Sequence, residues 1–100
     1  MLYMILGDDA PDSLPLRRAT RPAHLGYLKA LQAQGRLVLA GPRPRVDAAD
    51  PGEAGVHGSL VIAEFDDLAA AQAWAAAEPY ARAGVFATVT VQPFVKVLPA

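Results

Sequence analysis

Six segments with regular hydrophobic spacing follow one another along the chain, and their order limits the possible folds more than any other feature. In the first segment apolar residues occupy both faces, with Leu2 and Met4 on one and Tyr3 and Ile5 on the other, as in a strand buried on two sides. Apolar residues three or four apart indicate helices in the second and fifth segments. The predicted segments are a strand at Met1–Leu6, a helix from about Arg21 or Pro22 ended by Gly35, strands at Leu37–Gly41 and Gly58–Phe65, a helix from Asp66 or Asp67 to Ala77, and a strand at Val85–Val97.

The order strand, helix, strand, strand, helix, strand predicts an α+β protein with the split βαβ, or ferredoxin-like, arrangement. Four antiparallel strands then carry two helices on one face, in a single domain over residues 1–100. Pro93 lies inside the last strand, where it cannot donate a ladder hydrogen bond, so that strand is expected at a sheet edge or a bulge. The sixteen residues Pro42–His57 are rich in Pro, Gly and Asp and are predicted to form a long loop.

The position of one proline and the spacing of three leucines define the first helix more closely. Pro22 is expected to mark the start of the main helix, because proline in a helix interior removes a backbone hydrogen bond. Leu25, Leu28 and Leu31 are three residues apart and are predicted to form its inward stripe.

The predicted sheet has one face that no helix covers. The first, third and fourth strands nevertheless carry apolar residues on both faces. An extended apolar face without cover is typical of an interface, and two such sheets packed face to face give a homodimer. We therefore expect a homodimer on structural grounds alone.

Composition narrows the function classes. The formal net charge is −1 and the pI is near 6.0, which argues against a nucleic-acid partner that requires a basic patch. The chain has no cysteine, so disulfides, thiol catalysis and zinc–thiolate sites are excluded. No apolar stretch approaches the roughly 20 residues of a membrane span. These features favour a cytoplasmic protein that does not bind membranes.

His24 and Glu78 are the first candidates for chemistry. With the first helix starting near Pro22, His24 lies close to a helix N-terminus, where an imidazolium is disfavoured, and Glu78 lies at a helix C-terminus, where a carboxylate is disfavoured. In this fold those two ends are neighbours, so a His24–Glu78 pair is plausible, and an oriented histidine is a ready acid or base. The alternative is structural: a polar residue at the margin of an apolar stripe and a solvated helix end.

Four further residues are candidates for substrate binding. Arg17 and Arg21 share a side with His24 if the helix is continuous, and two arginines suit an anionic substrate. Ser59 opens the third strand and Tyr80 follows the second helix, where each has a polar group to offer. A solvated basic face, a serine bonded to the neighbouring loop and an aromatic residue closing the core are the alternatives. Asp47, Asp50 and Glu53 fit no metal-binding pattern, so no metal is expected.

An ordered set of short strings covers nearly the whole chain and resembles the YCII-related (YciI-like) family. The strings are Arg21-Pro22-Ala23-His24-Leu25, Gly35-Arg36-Leu37, Ala40-Gly41-Pro42, Gly58-Ser59, Ile62-Ala63-Glu64-Phe65, Ala71-Gln72-Ala73-Trp74 and Pro79-Tyr80. The resemblance implies a ferredoxin-like fold of the dimeric α+β barrel type and a histidine–aspartate pair in a shared pocket. His24 matches the histidine, whereas Glu78 stands where the family has the aspartate of an Asp-Pro-Tyr string.

The resemblance and the residues together predict a small-molecule enzyme without a cofactor. His24 is expected to act as general base or acid in lyase- or isomerase-like chemistry on a small, anionic or cyclic organic molecule, with Glu78 orienting it. Two alternatives stay open. One is a module that binds a metabolite without turnover, and the other is a structural dimer that modulates a protein partner.

Overall fold

A computed structural model describes all 100 residues. Its four strands form one sheet in the order β2-β3-β1-β4, and all neighbouring strands are antiparallel. The predicted ferredoxin-like α+β fold is confirmed, and β4 is an edge strand, in agreement with Pro93. The elements are β1 (Leu2–Asp9), α1 (Leu14–Ala33), β2 (Leu37–Pro44), β3 (Val56–Glu64), α2 (Leu68–Ala77), α3 (Pro79–Ala83) and β4 (Phe86–Phe94).

The core lies between the sheet and the helices α1 and α2. Residues Tyr3 and Ile5 of β1 point into it, whereas Leu2, Met4 and Leu6 lie on the opposite face and stay half-buried. Trp74 of α2 packs against this core and its ring stacks on Tyr27 of α1. The buried core residues are Tyr3, Ile5, Leu28, Leu31, Val61, Ala63, Phe65, Ala71 and Ala75.

Helix α1 is continuous through Pro22, so the prediction that this proline marks the helix start is wrong. Pro22 is exposed, and because it has no N–H the Arg18 carbonyl loses its helical donor. Arg17 before it and His24 after it are buried and hydrogen-bonded to other elements, which holds the helix on both sides of the proline. The predicted end is confirmed: Gly35 has φ 69° and donates its N–H to the Gln32 carbonyl.

The observed strands differ in length from the predicted ones, because pairing with the neighbouring strand decides where each strand ends. β1 continues to Asp9, and β4 ends at Phe94 because Phe94 already faces Leu2 at the start of β1. β2 and β3 extend toward each other, so the connection between them is residues 45–55 and contains the short 3₁₀ helix Gly52–Ala54. No helix combines the length and apolar character needed to cross a membrane.

Candidate active site

The buried stripe of α1 changes character along its length. Leu28 and Leu31 contribute to the apolar core, whereas Arg17 and His24 continue the same stripe toward the start of the helix. Leu25, predicted to point inward, is only half-buried. His24 lies in the middle of α1 and is 8% exposed, so the prediction that it sits near a helix N-terminus is wrong. Two polar side chains on a core-facing stripe require partners, because buried polar groups without hydrogen bonds are costly.

Glu78 supplies the partner of His24. It lies at the junction of α2 and α3, where its backbone is extended, and it is 3% exposed. One carboxylate oxygen, Oε1, bonds to Nδ1 of His24, and the other, Oε2, accepts the backbone N–H of Tyr80 at 3.2 Å. Contrary to the prediction, Glu78 does not sit only at an unfavourable helix dipole. Glu78 follows α2 but also caps the start of α3, an element absent from the predicted segments, where a carboxylate is favoured.

Tyr80 packs directly on the imidazole. The two rings are stacked with centroids 3.9 Å apart and planes at 14°, and the Arg17 guanidinium carbon lies 4.4 Å from the Tyr80 centroid. Arg17 and His24 are seven positions apart, which is about 10.5 Å along the helix axis, and this spacing accommodates the Tyr80 ring between them. Burial raises the pKa of the Tyr80 phenol above its usual value, against the opposing effect of Arg17 and Arg21. Tyr80 is 1% exposed, so its ring supports His24 from inside the protein.

Phe86 closes the far side of Tyr80 and depends on a glycine. The Phe86 and Tyr80 rings meet edge to face with centroids 5.6 Å apart. A methyl group built at Gly7 of β1 would lie 2.5 Å from ring carbons of Phe86. Gly7 therefore makes room for the ring that packs against Tyr80.

Arg17 is anchored by a residue that sequence reasoning missed. Its Nε donates to Asp9 Oδ2 at 2.8 Å, and its Nη2 donates to Asp9 Oδ1 at 3.1 Å and to Ser59 Oγ at 2.7 Å. Asp9 lies beyond the predicted end of the first strand at Leu6, whereas the observed β1 continues to Asp9. The available signal was the Asp8-Asp9 pair one residue after the predicted apolar strand, with Asp9 eight residues before an arginine on a helix.

A groove of about 280 Å³ opens beside these residues, between α1 and β2. His24, Ser59 and Arg17 lie along it, together with Arg21 and Lys29. Arg21 and Lys29 form no ion pair, and no carboxylate lines the groove. The groove therefore favours anionic ligands.

The free nitrogen of His24 is reachable from solvent. Nε2 forms no hydrogen bond within the chain, and Arg43 Nε is the only buried side-chain nitrogen or oxygen left without a partner. Nε2 thus keeps contact with solvent while Nδ1 is engaged. No three His, Asp or Glu side chains lie close enough together to hold a metal ion.

Five of the six predicted site residues form one cluster: Arg17, His24, Ser59, Glu78 and Tyr80. The sixth, Arg21, is exposed on the rim of the groove. The predicted loop 42–57 contributes only Pro42 to the groove. Arg45 and residues 53–56 of that segment instead border a separate cavity of about 350 Å³ beside the β1–α1 connection.

The YCII-related domain matches the chain over residues 1–95. The chain belongs to the YCII family. This YCII domain is 58% identical over 97 residues to Protein YciI of Escherichia coli O6:H1, which covers 97% of this chain and 99% of the relative. An uncharacterised protein of Haemophilus influenzae is 53% identical with the same coverage.

A solved structure resembles the YCII domain along nearly its whole length. It is the 5-chloro-2-hydroxyhydroquinone dehydrochlorinase TftG of Burkholderia phenoliruptrix in complex with 2,5-dihydroxybenzoquinone. The likeness has a TM-score of 0.82 at 28% identity and covers 95% of this chain and 94% of the other. The match extends the family comparison to a protein with a small-molecule activity.

Proposed function

We propose that this YCII domain is a cofactor-independent enzyme in which His24 acts as a general base and acid on a small anionic organic molecule. The observation that carries the proposal is the asymmetric engagement of the imidazole. Nδ1 is bound by the buried carboxylate of Glu78, whereas Nε2 has no partner in the chain and His24 borders a groove lined by cations.

Glu78 gives the histidine a defined role. A carboxylate only accepts hydrogen bonds, so the proton of neutral His24 belongs on Nδ1 and the lone pair belongs on Nε2. When Nε2 takes a proton from the substrate, the same carboxylate stabilises the imidazolium that forms. Nε2 then returns the proton to the product or to solvent.

The groove favours an acidic substrate. Arg21 and Lys29 attract its negative charge. Ser59 accepts from Arg17, which leaves its own hydroxyl proton free to donate to a substrate oxygen. The dehydrochlorinase with a similar fold was solved with a dihydroxybenzoquinone, which is a vinylogous acid. A hydroxylated ring compound is therefore the substrate class that we propose.

Elimination suits these groups without a cofactor. Nε2 removes a proton from a hydroxyl group or an adjacent carbon of the substrate, and the freed electron pair forms a new C=O or C=C bond. The leaving group departs with its bonding electrons, as chloride does when HCl is eliminated. Isomerisation uses the same base, which returns the proton to a different atom.

We further propose that the chain works as a homodimer joined through its uncovered sheet face. Leu2, Met4, Leu6 and Leu60 are half-buried there, and Leu39 is 48% exposed. An apolar face of this kind gains free energy when a second copy covers it. The helices that carry the active-site cluster lie on the other face of the sheet, so the groove of each subunit stays open in such a dimer.

The variants His24→Asn and His24→Gln test the catalytic proposal with matched side chains. An asparagine amide takes the place of Nδ1 and still donates to Glu78, but it supplies no base at the position of Nε2. We expect His24→Asn to fold, to bind 2,5-dihydroxybenzoquinone in the groove by NMR shift mapping, and to lose about 10²–10⁴-fold in turnover. His24→Gln, which loses the Glu78 contact, is expected to be less stable.

Release of chloride from 5-chloro-2-hydroxyhydroquinone measures turnover directly. Turnover by His24→Asn equal to that of the unaltered chain would contradict a base at His24. An unaltered chain that binds the quinone in the groove but releases no chloride would favour a module that binds a metabolite without this reaction.

A further inference from the structure

Asp9 and Arg17 form a buried ion pair with two hydrogen bonds. Their side chains are 5% and 10% exposed, and the bonds measure 2.8 and 3.1 Å. Removing two charges from water is expensive, and a buried pair often stabilises a fold no better than apolar residues of the same volume. Such a pair is more readily explained by a requirement for geometry than by stability.

The pair is connected to the catalytic histidine by continuous contacts. The Arg17 guanidinium lies over the Tyr80 ring at 4.4 Å, and that ring stacks on His24 at 3.9 Å. Glu78 then bonds to both the His24 ring and the Tyr80 backbone. Asp9 is thus connected to His24 through the side chains of Arg17 and Tyr80, and it touches neither the imidazole nor the groove.

We propose that Asp9 is a positioning residue that acts through Arg17 and Tyr80 to fix the plane of the His24 ring. Only its catalytic consequence rests on the proposed function; the ordering of the ring does not. The bidentate Asp9 contact holds the flat guanidinium in one plane. That plane limits the tilt of the Tyr80 ring, and the Tyr80 ring limits rotation of the imidazole about its link to the helix.

Asp9 also sets the charge around the site. Arg17 without a counter-charge would repel the imidazolium that forms when Nε2 takes a proton. The Asp9 carboxylate compensates that charge, so Arg17 packs beside the site without adding a net positive charge to it. Arg17, predicted to bind substrate, is reassigned on these contacts to a supporting role, which leaves Arg21 and Lys29 for the substrate.

NMR of the histidine and tyrosine rings tests the proposal without a substrate. We expect Asp9→Asn to lose most of the ring-current shift of the His24 protons and to speed the flipping of the Tyr80 ring. Asp9→Glu keeps the charge and should restore a large part of both signals. His57, which has no contact with this stack, is the internal reference.

Asp8→Asn is the matched control. Asp8 is the neighbouring residue and also bonds to an arginine, Arg43 at 2.5 Å, but its register places it with the residues of the uncovered face. The control should leave the His24 and Tyr80 signals unchanged. Unchanged ring-current shifts in folded Asp9→Asn, or equal losses in Asp8→Asn, would overturn the proposal.

A second variant keeps the test decisive if Asp9→Asn does not fold. Asp9→Asn with Arg17→Met removes both buried charges together, which avoids an unpaired cation. The same loss of ring-current shift is expected, and retention of the shift would again overturn the proposal. In turnover assays we expect kcat of Asp9→Asn to fall about a hundredfold with KM unchanged.

These experiments distinguish failure of the positioning role of Asp9 from failure of the proposed function. His24→Asn tests the base, whereas the Asp9 variants test the ordering of an intact histidine. A lost ring-current shift in a chain without turnover would support the positioning role and contradict the enzyme.

Discussion

Glu78 and His24 are 54 residues apart in the chain and meet in the interior of the molecule through Oε1 and Nδ1. The second oxygen of the same carboxylate is held by the backbone N–H of Tyr80. Because both oxygens are engaged, the carboxylate cannot rotate away without breaking a bond in α3. The imidazole is therefore held by a group that is itself fixed.

The tautomer of His24 is the most direct prediction from this contact. We expect neutral His24 to carry its proton on Nδ1, whereas exposed histidines usually carry it on Nε2. Glu78→Gln should change this, because a glutamine presents either its oxygen or its NH₂ group to Nδ1. The ¹⁵N shifts of the two ring nitrogens report the tautomer.

Glu78→Asp is the matched variant, since it restores the acid that the family resemblance implies at this position. It should keep the Nδ1 proton, with a longer contact. A His24 tautomer that is identical in the unaltered chain and in Glu78→Gln, with His57 unchanged in both, would show that the carboxylate does not orient the ring.

Pro22→Ala should stabilise the protein. Pro22 is exposed inside α1, and proline in a helix interior is about 3 kcal/mol less favourable than alanine. Alanine also makes the unfolded chain more flexible, which lowers the free energy of unfolding by about 0.4–1 kcal/mol. We therefore expect the free energy of unfolding to rise by about 2–2.5 kcal/mol in urea titration.

Pro15→Ala provides the comparison for Pro22. Pro15 lies in the first turn of α1, where no helical N–H donor is needed. That variant should show little or no gain. A loss of stability in Pro22→Ala would indicate that the proline ring makes contacts that offset its cost to the helix.

Alkaline pH should reveal the burial of Tyr80. Burial raises the pKa of its phenol above the usual value of about 10. Below that pH the phenol is protonated in both states, and the folded and unfolded chains bind the same proton. As the pH rises further, the unfolded chain loses this proton first, so the free energy of unfolding falls until the folded pKa is reached.

Tyr80→Phe keeps the ring and removes the titrating group. Its free energy of unfolding should match that of the unaltered chain near neutral pH, since the Tyr80 hydroxyl bonds to no atom of the chain. Above about pH 10 it should decline less steeply. Parallel declines for the two chains in urea titrations across this range would contradict the assignment.

Met4→Lys tests the proposed dimer. Met4 is half-buried at the middle of the uncovered face, opposite Ile62 on β3. A lysine there has room in the isolated chain but places a charge in the proposed interface. Sedimentation equilibrium should give a dimer for the unaltered chain and a folded monomer for Met4→Lys.

Leu16→Lys is the control for added charge alone. Leu16 is 42% exposed on α1, on the opposite side of the sheet. It should remain dimeric. A monomeric unaltered chain, or a Met4→Lys variant that stays dimeric, would exclude this face as the interface.

Sequence patterns predicted the fold well because the fold depends on them directly. The alternation in β1 and the position of Pro93 both reflect burial and pairing, which act on single residues and their neighbours. Pro22 misled the helix boundary because packing on both sides outweighed a local cost. Gly35, where conformation and sequence agree, was read correctly.

The candidate site was less accessible to sequence reasoning. His24 and Glu78 were paired on a dipole argument that the structure corrects, although the contact itself is present. Asp9 was missed because the strand was predicted to end at Leu6 and because its importance comes from a contact with Arg17 across the β1–α1 connection. The short helix α3 was also missed, since Pro79 reads as a helix stop and is equally a helix start.

The strand order has a consequence for how the chain reaches its native state. β1 and β2 are not neighbours in the sheet, and neither are β3 and β4, because the two halves of the chain interleave. A ribosome-bound chain that ends before β3 therefore has no strand pairing available, and β1 lacks one partner until β4 emerges. Folding of this kind depends on contacts distant in sequence and is expected to follow synthesis of nearly the whole chain. Arg17 and His24 are therefore synthesised well before Glu78 and Tyr80, the residues that complete their surroundings.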